Sequence, residues 1–102
     1  MARNRGTAST GHLFSEETVQ AVWDKGRIIK GFDPNEWRRD CYGKAIQRSR
    51  YSDRSIDFGW EIDHIVPVTD GGNDALGNLQ PLQWEMNRDK GDQHPWQAPL
   101  IR

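Results

Sequence analysis

The first dozen residues, MARNRGTASTGH, are small and polar with no period, and predict a flexible arm over 1–12. A helix is predicted next. Ser15 suits an N-cap, Glu16 and Glu17 sit where the helix dipole favours acids, and Val19, Val22 and Trp23 form an i, i+3, i+4 stripe that ends before Gly26. Asp33-Pro34-Asn35-Glu36 has the signs of a second helix start: Asp33 caps, Pro34 takes the first helical position and Glu36 completes a capping box. That helix is predicted to run to Asp40. Cys41–Tyr51 reads as extended or hairpin-like around Gly43.

The second half is more sharply patterned. Phe58–Val66 is β-branched and aromatic, stops at Pro67 and predicts a strand. Thr69–Gly77 is a loop dense in Gly, Asn and Asp, and Asn78–Leu82 is a short second strand. Gln83–Lys90 predicts a helix stopped by Gly91, with Leu82 and Met86 toward the core and Gln83, Asn87 and Lys90 on a neighbouring face. Asp92–Arg102 is a tail whose Trp96, Leu100 and Ile101 can fold back on the body.

With 102 residues, 34% of them apolar, one small domain is the ceiling, assigned to residues 13–102 with its core over about 58–92. The fold class expected is α+β. No apolar run approaches the roughly 20 residues of a membrane span, and no secretory apolar stretch follows Met1. A cytoplasmic location without membrane partners is therefore expected. The single Cys41 excludes an internal disulfide and a four-cysteine zinc site, so no structural zinc is expected. Packing must hold the fold, a task assigned to Trp23, Trp37, Trp60 and Trp84. The net charge of −1 hides a split: nine basic against four acidic residues over 25–54, and two against eight over 57–92. A basic half beside an acidic half suits a protein that grips phosphates and holds a metal, as well as an unevenly charged surface.

The order strand, loop, strand, helix carries Asp63-His64 near the end of the first strand, Asn78 at the start of the second, Asn87 within the helix and Lys90 one turn later. Singly, each has an ordinary structural reading. Together, Asp63-His64 with Ile65-Val66-Pro67, Gly71-Gly72, Asn78-Leu79-Gln80, Asn87 and Lys90 closely resemble the HNH endonuclease family, whose active site is a ββα-metal unit. The resemblance covers about a third of the chain. Trp37-Arg38-Arg39-Asp40 and Gly59-Trp60 also look like small stand-alone bacterial and phage members. The architecture implied is a ββα-metal unit in the C-terminal half, with short helices and an extended segment before it. Asn87 stands where the family name has its last His, which makes this the HNN variant.

The resemblance implies hydrolysis of DNA phosphodiesters, double-stranded DNA being the partner expected. Such a reaction needs an activated water and charge relief on the phosphorane. His64 is the implied base, since an imidazole of pKa about 6.5 is largely neutral at neutral pH. Asp63 and the Asn87 amide oxygen are hard ligands suited to Mg²⁺, with Mn²⁺ as the other candidate. Asn78 is implied to orient His64 and pin the loop, and Lys90 to point at a phosphate with Arg88 as helper. Arg38, Arg39, Arg48 and Arg50 are expected to grip the backbone. Two other readings are a non-cleaving nucleic-acid-binding module and a nuclease toxin neutralised by an immunity protein. One geometric condition follows: strand neighbours point to opposite faces, so Asp63 and His64 share a site only if the strand distorts or ends there.

Overall fold

The computed structural model describes residues 7–96. Helix α1 (Glu16–Trp23) begins as its sequence dictates, with the Thr18 amide donating to Ser15 Oγ at 3.1 Å and Val19, Val22 and Trp23 buried. Next comes an antiparallel sheet of β1 (Arg27–Ile28), β2 (Trp37–Arg39) and β3 (Ala45–Gln47), in that spatial order. A second antiparallel sheet pairs β4 (Trp60–His64) with β5 (Leu79–Gln83), and α2 (Trp84–Lys90) follows β5 without a break. The protein is α+β, with the strand, loop, strand, helix unit in its C-terminal half.

The helix expected over 33–40 does not form. The Asp33 carboxylate accepts from the Asn35 amide at 2.9 Å, and its carbonyl accepts from the Glu36 and Trp37 amides, which closes a single turn. Trp37, Arg38 and Arg39 then pair with Gln47, Ile46 and Ala45. The local capping signal is real, but tertiary pairing takes over the residues that would have propagated the helix. The hairpin around Gly43 is present, with Gly43 at φ 92°.

Within the stretch expected as an arm, residues 8–12 close a turn, with the Gly11 amide donating to the Ala8 carbonyl at 2.8 Å. Thr7 is buried and Ser9 bonds to Asp74. In the tail, the Trp96 ring packs edge-on against Tyr42 at 5.1 Å, while Leu100 and Ile101 lie outside the described residues. No helix among the described residues is long and apolar enough to cross a membrane.

The apolar core joins Val19, Val22 and Trp23 of α1 to Ile46, Trp60, Ile62 and Leu79, with Phe14 and Tyr51 packed against it. Trp60 is its centre, its ring 5.3 Å from Trp23 and 4.9 Å from Tyr51. Trp37 and Trp84 are only half-buried. Trp37 packs edge-on against Phe58, and the guanidinium groups of Arg54 and Arg88 each lie over the Trp84 ring. Asp40, fully buried, ties the two sheets together. Its carboxylate accepts from the Tyr42 and Lys44 amides in the β2–β3 turn and from the Gln83 amide at the start of α2. Burial pushes this carboxyl above its usual range despite those three bonds.

Candidate active site

All five residues of β4 are buried. The strand's period of two divides them: Trp60, Ile62 and His64 face the core, whereas Glu61 and Asp63 face the other way. Directly paired residues share a face, so Leu82 and Gln80 lie beside Glu61 and Asp63. Helix α2 covers this second face with Met86, Asn87 and Lys90, all buried. Two carboxylates thus lie under a helix, where charge without a partner is prohibitively costly.

Each has partners. Arg54 donates to both oxygens of Glu61, at 2.6 and 2.8 Å, and Asn87 Nδ2 donates to Glu61 Oε1 at 2.7 Å. Lys90 Nζ donates to Asp63 Oδ1 and to the His64 carbonyl, both at 3.1 Å, and Gln80 Nε2 donates to Asp63 Oδ2 at 2.9 Å. Burial still leaves the Asp63 carboxyl above its ordinary pKa, against the opposing pull of Gln80 and Lys90. Asp63 and Asn87 therefore lie in one layer between β4 and α2. Their donors are hard oxygens, and the Asn87 amide oxygen accepts no hydrogen bond among the described residues. No group of three or more His, Cys, Asp or Glu side chains among the described residues is placed to hold a metal ion.

His64 lies on the opposite face, 3% exposed, with its ring 6.0 Å from Phe14. Its Nε2 is 2.7 Å from Asp74 Oδ1. Asp74 in turn accepts from the Ser9 amide at 2.9 and 3.1 Å and from Ser9 Oγ at 2.7 Å. Desolvation pushes the Asp74 carboxyl up, but the bonds from His64 and Ser9 together hold it below its usual range. The strand pairs regularly through His64 and ends there, so the Asp63 and His64 side chains leave its last two residues in opposite directions.

The connecting loop is tightly fastened. The Val66 amide donates to Asn78 Oδ1 at 2.8 Å, and Asn78 Nδ2 donates to the Val66 and Asn73 carbonyls. Asn78 thus pins the loop that bears Asp74, and its side chain makes no hydrogen bond to His64. The two adjacent glycines answer different demands. Gly71 adopts φ 88°, which L side chains avoid, and a Cβ on Gly72 would lie 1.7 Å from the Val66 carbonyl oxygen.

Several expectations change here. Lys90, read as reaching for a phosphate, is 2% exposed and spends its ammonium inside the protein. Arg38 donates to the Pro34, Asp24 and Gly26 carbonyls and lies over Trp23. Arg48 bonds Gln20, pairs with Glu16 and lies over Trp60. Both arginines are structural pins in this conformation. Arg39, Arg50 and Arg88 are exposed. The sequence reading missed Glu61 and Asp74, and it quoted Gln80 within the family pattern without giving it a role. Glu61, two residues before Asp63 on a strand, was findable from the period alone. Asp74 carried no signal beyond its place in a compact loop. Cys41 is an exposed residue whose thiol turns inward to Gln80 Oε1 at 3.3 Å, and burial pushes its pKa up to about 11, which makes it a poor nucleophile or ligand.

A family model described as HNH endonuclease matches residues 45–96, from β3 through α2. No curated protein and no solved structure matches the chain.

Proposed function

The chain belongs to the HNH endonuclease family, and on that premise we propose that it is a divalent-metal-dependent DNA endonuclease in which His64 is the general base. What supports this reading is that Asp63, bonded to Lys90, and Asn87, bonded to Glu61, both face the buried layer between β4 and α2, with His64 on the other face of the same strand end. A phosphodiester seated across that end has hard oxygen donors on one side and an imidazole on the other. The His64 lone pair takes the proton of a water attacking phosphorus, and the bond from phosphorus to the leaving oxygen then breaks. Asp63 and the Asn87 amide oxygen are the residues that would hold the cation, which supplies charge neutralisation on the phosphorane and the leaving oxygen. Mg²⁺ or Mn²⁺ fits this hard donor set better than zinc. Asn87 is itself oriented by Glu61 and Arg54. Asp63, His64, Asn87 and Lys90 are each at most 5% exposed, so productive engagement of DNA requires the groups around them to shift.

Purified protein is expected to nick or cut plasmid DNA with Mg²⁺ or Mn²⁺ and to leave it intact in EDTA. Binding without cleavage across a metal series would assign the chain to the non-cleaving class.

The grip on DNA is assigned to the exposed Arg39, Arg50 and Arg88. Neutralising all three to Gln is expected to flatten the dependence of log K on log salt by about 0.9 for each phosphate that is no longer neutralised. Neutralising Arg38 and Arg48 is expected to lower Tm and leave that slope unchanged, because their donors hold backbone carbonyls, Gln20 and Glu16. Equal flattening by both sets would refute the division.

A further inference from the structure

We propose that Asp74 is the positioning residue for His64, holding the ring as its Nε2–H tautomer, and that Ser9 clamps Asp74 for this purpose. The proposal rests on the reading of His64 as the base and adds the group that makes it one. A carboxylate accepts hydrogen bonds and cannot donate them when ionised. At 2.7 Å from Asp74 Oδ1, Nε2 must therefore carry the proton, which leaves the lone pair of the neutral ring on Nδ1. Nδ1 is then the atom that takes the proton from water.

The arrangement is built rather than incidental. Asp74 receives three hydrogen bonds from Ser9, two from the amide and one from the hydroxyl. The loop that carries it is fixed on both sides: the Ala75 amide donates to Asn73 Oδ1, Asn78 donates to the Asn73 carbonyl, and the Gly72 amide donates to the Pro67 carbonyl. His64 is held against Phe14 on the core side. An imidazole on a strand end keeps two ring orientations open, and a fixed acceptor at one nitrogen removes one of them. The acceptor lies 10 residues from His64 in sequence, whereas its clamp lies 65 residues from Asp74. Residues outside the stretch that matches the family thus take part in setting up the base.

The test combines nitrogen-15 spectroscopy of the histidine rings with kinetics. His64 is told from His12 and His94 by the resonance that disappears in His64→Ala. Under alkaline conditions wild-type His64 is expected to show the Nε2–H pattern. Asp74→Asn, whose amide can donate to the ring, is expected to shift the population toward Nδ1–H. It is also expected to lower kcat by about 10²-fold, within the 10²–10⁴ that a general base contributes, with KM for plasmid little changed. Asp74→Glu keeps an acceptor and is expected to restore the Nε2–H pattern and most of kcat. An Nδ1–H tautomer in the wild type overturns the proposal even if no Asp74 variant folds. Unchanged or raised kcat in folded Asp74→Asn overturns it as well. The ring spectrum needs no cleavage, so an inactive wild type with the expected tautomer would count against the nuclease reading and leave the Asp74–His64 hydrogen bond standing.

Discussion

Replacing His64 by Ala is expected to lower the cleavage rate about 10²–10⁴-fold, or roughly 3–5 kcal/mol of activation free energy, while DNA binding persists. The rate effect has to be separated from a stability effect, because His64 is almost wholly buried and its ring packs beside Phe14. Removing a buried ring leaves a cavity, and at this site it also leaves Asp74 with only its Ser9 donors. His64→Gln keeps more of the volume and offers no base in the relevant pH range. The two variants should therefore differ in Tm and agree in their loss of rate. Circular dichroism fixes a temperature at which wild type and both variants are folded, and single-turnover cleavage is compared there. Near-wild-type cleavage by a folded His64→Ala protein would remove the proposed mechanism.

How far this site was legible from the residues depends on how local each signal is. Helix α1 was fully legible, because Ser15, the two glutamates and the Val19, Val22, Trp23 stripe act within a few residues of one another. The same capping logic failed at Asp33, where pairing of β2 with β3 claims Trp37–Arg39. The two strands and the helix of the C-terminal unit were legible in position. The burial of both faces of β4 was not. Alternation of Glu61 and Asp63 with Trp60 and Ile62 does not tell whether the acidic face is open or covered, and only the packing of α2 reveals that it is covered. Lys90 was misread for the same reason, since a lysine on a short helix reads as solvent-facing until a buried carboxylate appears beneath it. The charge split counted Arg38 and Arg48 among the cations free to meet DNA, but composition cannot say that backbone carbonyls, Gln20 and Glu16 already occupy them.

That buried lysine gives the largest stability effect expected here. Asp63 and Lys90 have side chains 5% and 3% exposed, with 3.1 Å between Oδ1 and Nζ. Removing one member of such a pair typically costs about 3–5 kcal/mol, a large part of the roughly 5–15 kcal/mol that holds a small domain together. Lys90→Met keeps the length of the side chain and removes its charge, so it is expected to lower Tm by roughly 12–30 °C at neutral pH. The loss should shrink in acid. Burial already raises the Asp63 pKa, and without Lys90 it rises further. A carboxyl whose pKa is higher in the folded state than in the unfolded state favours folding below its unfolded value of about 4, and that advantage is lost as pH rises through the folded value. Lys90→Met should thus approach wild type near pH 4 and fall away above it. Asp63→Asn in the same background removes the stranded charge and should recover much of the Tm, which a double-mutant cycle would measure. The same pair bears on the cation. Lys90 supplies Asp63 with one positive charge, so the divalent ion proposed at Asp63 and Asn87 would compete with the ammonium in wild type and would replace it in Lys90→Met. Added Mn²⁺ is expected to raise the Tm of Lys90→Met more than that of wild type, and to raise neither when Asp63 is Asn. Equal Mn²⁺ shifts in all three proteins would place the cation elsewhere, and an unchanged Tm in Lys90→Met would show that the buried pair contributes nothing to the fold.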